Sequence, residues 1–214
     1  MKILLTAGAT REPVDDVRYL SNLSTGATGA ALAEALAAKG HEVTLLHGTG
    51  AVLPRTGRDR QAFTSAKDLQ NRLQRRLAGG GFDAVIHCAA VADYTPARAP
   101  RGKISSQLKG LTLRLAPVPK ILPQIKNFAG GGAAPLVVGF KLTAGADRAA
   151  REAAVARLWA GGGVDAVVHN DLDDLADHKT RPFRAYVAGR ARPQVLAGVN
   201  ALAEWLDGLV SRVG

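Results

Sequence analysis

The sequence has 214 residues, 47% apolar, 21% charged and 5% aromatic. This is enough for one α/β domain with a sizeable core, and it excludes both a disordered tail and an aromatic-rich single-strand binder. A formal charge of +10 calls for anionic partners, whether nucleic acid, acidic lipid or phosphorylated small molecules.

In chain order, Lys2 to Thr6 is a short apolar run ended by Ala7-Gly8 and reads as a buried strand feeding a polar loop. An alanine- and leucine-rich segment from Gly26, stopped by Gly40, predicts a helix. Glu42 to Leu46 predicts the second strand, Ala66 to Leu77 a helix and Phe82 to His87 the third strand. Arg98 to Gly110 has no apolar period and is rich in Arg, Lys, Gly and Ser, the pattern of a mobile loop. Thr112 to Leu115 alternates weakly as an added strand, and Lys120 to Phe128 fits one short helix. Leu136 to Val138 and Asp165 to Val168 predict two further strands, with a helix from Asp147 to Trp159 between them and a terminal helix from Gln194 to Val210. Three Ala-Gly-Gly-Gly tracts, ending at Gly81, Gly132 and Gly163, fall where helices give way to strands and read as C-caps rather than phosphate loops. The alternation predicts one domain over residues 1–214. Its expected form is a three-layer, Rossmann-like, doubly wound and mostly parallel α/β sheet, with a basic flap at about 95–110 after the third strand. Ligands of such a sheet sit beyond the carboxyl ends of the strands, here after Thr6, His87, Val138 and Val168.

The single cysteine, Cys88, excludes an internal disulfide and fits a reducing compartment. The opening apolar run is too short for a signal peptide and no long apolar stretch follows, so a cytoplasmic protein is expected, with no membrane partner. The charge is not spread evenly. No Asp or Glu occurs between Asp93 and Asp147, whereas Arg98, Arg101, Lys103, Lys109, Arg114, Lys120, Lys126 and Lys141 all fall there.

Nucleotide motifs narrow the chemistry. Gly8-Ala-Thr-Arg lacks the G-x-G-x-x-G spacing of dinucleotide binding, and no G-x-x-x-x-G-K-[ST] loop exists. Tyr19, Tyr94 and Tyr186 have no lysine four residues on, which removes the catalytic pair of a short-chain dehydrogenase. What remains is Ser21-Asn22-Leu23-Ser24-Thr25-Gly26-Ala27-Thr28-Gly29, opening into a helix whose amides and dipole suit an anion, or equally an ordinary capped helix start. Cys88-Ala89-Ala90-Val91-Ala92-Asp93-Tyr94 follows a strand, and its paired alanines allow either close ligand approach or plain packing.

Taken in order, these segments resemble the phosphopantothenate-cysteine ligase family over nearly the whole chain. The resemblance rests on Thr6-Ala-Gly-Ala-Thr-Arg-Glu-Pro13, Val17-Arg-Tyr-Leu-Ser-Asn22, Ser24-Thr-Gly26, Ala89-Ala-Val-Ala-Asp-Tyr94, Lys103-Ile-Ser-Ser106, Pro119-Lys120, Val138-Gly-Phe-Lys-Leu142 and Asn170-Asp171. The Lys-Ile-Ser-Ser and Gly-Phe-Lys-Leu forms look like stand-alone bacterial ligases rather than those fused to a flavin-dependent decarboxylase, and the length agrees. The resemblance implies amide formation between 4'-phosphopantothenate and L-cysteine through an acyl nucleotide made from CTP, or ATP in some members, with Mg2+ on the phosphates.

Residue by residue, the resemblance makes Asn22 the catalytic asparagine that holds the activated acyl group, and Lys103 the flap lysine that closes over the triphosphate. Arg18 matches an arginine that reaches the neighbouring subunit's acid site, which implies a homodimer. Ala89, Ala90 and Asp93 match the acid and nucleotide pocket, with Asp93 a polar anchor or a water-mediated Mg2+ contact. Gly8, Ser24, Gly26 and Gly29 match the nucleotide loop, Pro119, Lys120, Ile121 and Leu122 a segment near the base, Phe140 the base contact and Asn170 a late-strand contact. Each has an ordinary counterpart: Asn22 as a helix cap, Lys103 and Arg18 as solvated surface residues, Phe140 as core. Two departures stand out. Leu23 follows Asn22 where relatives often carry His, and Gly161 to Gly163 replace a lysine-bearing stretch that bears on CTP preference. His41, His47, His87, His169 and His178 show no ligand spacing, so no metal site is expected. Cys88 has no visible base beside it and reads as a small buried residue. An NAD(P)-binding dehydrogenase-like protein and a basic nucleic-acid module are the other readings. The latter is disfavoured because the basic excess lies on a loop with few aromatics.

Overall fold

The structure, a computed structural model, describes residues 1–57, 59–130, 133–176, 181–190 and 192–212. The first strand, β1 (Lys2–Ala7), is buried at every position after Lys2, as a central parallel strand covered on both faces must be. The β2–β3 hairpin (Arg11–Pro13, Tyr19–Ser21) follows, then α1 (Ala27–Ala38), β4 (Glu42–Gly48), β5 (Arg60–Phe63), α2 (Ala66–Ala78) and β6 (Ala84–His87). A second hairpin, β7 (Tyr94–Pro96) with β8 (Leu115–Pro117), carries the basic insert between its strands. A 3₁₀ segment (Leu122–Phe128) leads into β9 (Leu136–Thr143), α3 (Arg148–Ala160) and β10 (Ala166–Asp171). A 3₁₀ turn (Asp173–Ala176), β11 (Pro182–Val187), β12 (Gln194–Ala197) and α4 (Gly198–Val210) complete the described elements.

The main sheet has eight strands in the order β12-β11-β10-β9-β6-β1-β4-β5. From β5 to β10 all neighbours are parallel, while β11 and β12 run antiparallel at one edge. Alternate residues of β1 feed the two sides. Ile3, Leu5 and Ala7 meet Leu32 and Leu36 of α1 and Leu202 and Leu206 of α4 in one core. Leu4 meets Leu46, Phe63, Leu69, Leu73 and Ile125 in the other. The fold is therefore the expected three-layer, Rossmann-like α/β sheet.

Several expected boundaries move. The weak strand at Thr112 to Leu115 is instead Leu115–Pro117, pinned opposite Tyr94–Pro96. The expected helix at Lys120 to Phe128 is a 3₁₀ segment whose first turn contains Pro123. Gln194–Ala197, read as the start of the last helix, is an edge strand. Its short apolar stretch fits either period, and Gly198, with φ +74°, ends the strand and opens the helix. β2, β3, β5, β7 and β11 were not expected. Four of these have only three or four residues, too short for a period to register. The three glycine tracts do end helical segments, with positive φ at Gly80, Gly130 and Gly162. Residues 131 and 132 lie outside the described residues. Among the described residues no helix is long and apolar enough to cross a membrane.

Helix α1 packs very closely on β1. A Cβ at Gly29 would lie 2.4 Å from the Cβ of Ala7, a separation that only displacement of the helix relieves. Gly29→Ala is therefore expected to lower stability by about 1–3 kcal/mol. Gly208→Ala, in α4 with nothing within 4 Å of the new methyl, should raise it by about 0.5–1 kcal/mol. Urea unfolding of the two variants beside the parent checks both signs.

Candidate functional site

The strand order reverses direction at β1, whose chain continues towards β4 on one side while β6 lies on the other. A crevice opens there beyond the carboxyl ends of β1 and β6. Backbone hydrogen bonds hold its two lips in register: Cys88 N–H donates to Thr6 O at 3.1 Å, Ala90 N–H to Gly8 O at 2.8 Å and Thr10 N–H to Ala90 O at 3.2 Å. Side chains reinforce the pairing. Thr6 Oγ1 accepts from Ala89 N–H at 3.2 Å, and Thr10 Oγ1 from Ala92 N–H at 3.0 Å. Ala89 and Ala90 are thus fixed alongside the Gly8 turn.

Gly8 and Gly26 both have left-handed backbones, with φ +81° and +79°. A Cβ on Gly26 would sit 3.2 Å from the Gly8 Cα, and one on Gly8 would sit 2.8 Å from the Ala51 Cβ. The glycine fingerprint missing from the contiguous sequence is therefore rebuilt in space. Gly8 makes the tight turn, and Gly26 and Gly29 supply the close approaches, with the β2–β3 hairpin inserted between them. Gly26, the N-cap of α1, has no side chain to cap with, and Thr25 Oγ1 accepts from Ala27 N–H at 3.4 Å. The Thr28 and Gly29 amides are left for an anion in the crevice.

Asn22 is not the cap. Its Nδ2 donates to Val91 O at 3.4 Å, which sets the amide at the mouth between the two lips. Asn22 and Ser24 line a cavity of 370 Å³ with Ala9, Arg11, Thr49 and Gly50. Arg11, whose guanidinium lies 4.6 Å from the Tyr19 ring centre, stands inside a motif segment but was given no role from sequence. Thr49, Gly50 and Ala51 come from the loop after β4, which sequence reading did not mark. Arg181 was also missed. Its Nη2 donates to Thr28 Oγ1 at 2.6 Å and it stacks over Phe183, so a distant residue brings a cation to the first turn of α1.

The flap reaches the same end of the sheet. Gly102 N–H donates to Asp16 Oδ2 at 2.6 Å and Ile104 N–H to Asp15 Oδ2 at 3.0 Å, with Lys103 between them. Arg18 Nη1 donates to Asp15 Oδ2 at 3.1 Å and to Ile104 O at 3.3 Å. The Ile104 amide, followed by those of Val17 and Arg18, outweighs burial and holds the Asp15 carboxyl below its usual range. Within one chain, Arg18 is thus engaged by its own flap.

The remaining expected residues spread along the carboxyl ends of the strands. Asp93 is paired with Lys120 and both are well exposed. Pro119 is exposed, but Ile121 is buried in the α2-side core and Leu122 packs against Gly139, so this segment offers the crevice chiefly Lys120 and its backbone. Phe140 is half-buried against the α1-side core. Asn170 is buried at the end of β10. Beside it, burial works to raise the pKa of Asp171, but hydrogen bonds from Thr143, Asp173, Ala146 and Gly145 prevail and keep it ionised. Those bonds tie the end of β10 to the loop after β9.

Among the described residues no group of three or more His, Cys, Asp or Glu could hold a metal ion. His178 lies outside the described residues. Cys88 is half-buried, and loss of solvent around its thiol pushes it up to about 12, which favours the protonated form at neutral pH. Burial also pushes His87 down to about 4, and its Nδ1 shares a 2.9 Å hydrogen bond with the Thr6 hydroxyl.

A depressed histidine pKa ties stability to pH in a definite sense. The unfolded imidazole takes up a proton near pH 6.5 and the native one only near 4, so stability is full above 6.5 and falls as pH drops through that window. The loss attributable to His87 is at most about 3 kcal/mol. Urea midpoints measured between pH 7 and pH 4.5 should fall in the parent and fall less in His87→Gln.

A family model described as the DNA/pantothenate metabolism flavoprotein C-terminal domain matches residues 1–183. The chain is 33% identical over 171 residues to the coenzyme A biosynthesis bifunctional protein CoaBC of Thermococcus kodakarensis, covering 80% of this chain and 41% of that protein. It thus spans less than half the length of the curated relatives it matches. Among solved structures, the DNA/pantothenate metabolism flavoprotein from Streptococcus pneumoniae superposes with a TM-score of 0.85 at 26% identity, covering all of both chains. The C-terminal domain of a CoaBC protein superposes with a TM-score of 0.75 at 25% identity, covering 99% of this chain and 95% of that one. With residues 1–183 matched by the family model, the chain belongs to the DNA/pantothenate metabolism flavoprotein C-terminal domain family.

Proposed function

We propose that the protein is a phosphopantothenate-cysteine ligase, joining 4'-phosphopantothenate to L-cysteine at the expense of CTP or ATP in coenzyme A biosynthesis. The observation that supports this reading is the meeting, beyond β1 and β6, of the α1 N-terminus and the Asn22 amide, beside a flap carrying Lys103 that is held by the β2–β3 loop. A carboxylate oxygen of the acid attacks the α-phosphorus, the bond to pyrophosphate breaks and a mixed acyl–phosphate anhydride forms. The cysteine amine then attacks the acyl carbon, loses a proton, and the nucleoside monophosphate leaves with the electrons of the C–O bond.

Both substrates are polyanions, so positioning and charge neutralisation dominate. The amides of α1 and the left-handed turns at Gly8 and Gly26 admit phosphate oxygens to the backbone, helped by Ser24. Ala89 and Ala90 leave room for the acid beside them. Asn22 donates to the acyl oxygen as charge builds there. Lys103, a flexible point charge, follows the departing pyrophosphate. Pro119, Lys120 and the backbone of Ile121 and Leu122 border the base with Phe140 and Asn170, and Arg18 serves the acid site across a homodimer. Asp93, paired with Lys120, would serve as a polar anchor or as a water-mediated contact to Mg2+ carried in on the nucleotide. Magnesium there would offset phosphate charge; a lone carboxylate suits an ion that arrives with its phosphates rather than a resident one. A single cysteine, Cys88, supports a cytoplasmic location.

With acid, cysteine and either CTP or ATP, pyrophosphate release should require the acid, and monophosphate release should require cysteine as well. Asn22→Ala should slow amide formation by about 100- to 1000-fold. Absence of turnover with both nucleotides contradicts the reading, and full activity in the variant removes the role given to Asn22.

A further inference from the structure

The stretch from Tyr94 to Ala146 carries eight basic residues and no acidic one. Whatever anchors the flap must therefore come from elsewhere, and it comes from the loop between β2 and β3. Asp16 is bonded to Gly102 twice, accepting from its amide at 2.6 Å and donating its own N–H to Gly102 O at 3.2 Å. Asp15, whose side chain is wholly buried, accepts from Ile104 N–H at 3.0 Å, Val17 N–H at 2.8 Å, Arg18 N–H at 2.7 Å and Arg18 Nη1 at 3.1 Å. Arg18 closes the ring by donating to Ile104 O.

We propose that Asp15 and Asp16 are positioning residues that clamp the backbone on either side of Lys103 and tie that lysine to Arg18. Three features give the geometry this consequence. The bonds fall on Gly102 and Ile104 but leave the Lys103 side chain exposed, so the backbone is fixed while the ammonium remains free to reach a ligand. Gly102 has φ +79°, a turn that directs successive residues to the two aspartates. The same Asp15 carboxylate serves both the flap and the guanidinium, so a change at either is felt by the other. An exposed basic loop loses considerable conformational freedom on ordering. The clamp meets that cost before the triphosphate arrives, leaving more of the binding interaction for the reacting groups.

The proposal rests on the ligase reading for what Lys103 does, and on the clamp alone for where it sits. The experiment reads the two separately. Trypsin cleavage after Lys103 is followed in the full chain for the parent, Asp15→Asn and Asp16→Ala, with thermal unfolding as the check that each is folded. Asp16 is exposed, so its variant leaves the core untouched. Loss of charge-assisted bonds should speed cleavage at Lys103 about tenfold relative to other sites. In the assay with acid and cysteine, both variants should raise the KM for the nucleotide more than they lower kcat, and Arg18→Gln should also speed cleavage at Lys103. Unchanged cleavage and unchanged nucleotide KM in folded variants overturn the clamp. A parent that turns over neither CTP nor ATP overturns the ligase reading, while the cleavage comparison still decides the clamp.

Discussion

The approach of α1 to the end of β1 sets the terms for the rest of the molecule. Helix and strand meet where a methyl group on Gly29 would collide with Ala7, and the preceding turns meet where Gly8 and Gly26 face each other without side chains. Interiors at this density do not yield to an added carbon without movement. The contact aims the free amides of α1 at the crevice, and it also decides where the β2–β3 hairpin can leave the chain. Because that hairpin springs from between Gly8 and Gly26, it carries Asn22 over the mouth, and its connecting loop brings Asp15, Asp16 and Arg18 to the flap.

The two lips of the crevice are joined by polar groups that are themselves satisfied. Thr6 accepts from Ala89 N–H and is hydrogen-bonded to a neutral His87, and Thr10 accepts from Ala92 N–H. Buried hydroxyls used in this way fix a loop without placing charge beneath it. Charge enters instead at the rim, through Lys103, Lys120, Arg11 and Arg181. Nearly all the excess behind the net +10 lies between Asp93 and Asp147. On the proposed reading it is a local field for a polyanionic substrate.

Much of this was legible in the residues. Continuous apolar runs such as Lys2 to Thr6 and the amphipathic Ala66 to Leu77 announce the sheet and its helices, because burial on two faces or on one leaves a distinct pattern in the sequence. The candidate site was legible as short segments whose order matched a known family. What escaped was pairing made by separate parts of the chain. Gly8 and Gly26-x-x-Gly29 look unrelated in the sequence because a hairpin intervenes, yet they act as one glycine cluster. Arg181 reaches Thr28, and Asp15 reaches Ile104, across separations that no local pattern encodes. Gln194–Ala197 fits a helix as well as a strand until Gly198 is seen to break the chain direction.

The central claim is that the crevice activates a carboxylate at the α-phosphate and passes the acyl group to cysteine under the Asn22 amide. The most direct test uses 4'-phosphopantothenate labelled with heavy oxygen in its carboxylate, turned over with cysteine and CTP, with the released nucleotide examined by mass spectrometry. Transfer of one labelled oxygen into CMP, beside unlabelled pyrophosphate, is the predicted result. CMP free of label, or label appearing in inorganic phosphate beside CDP, would contradict the account.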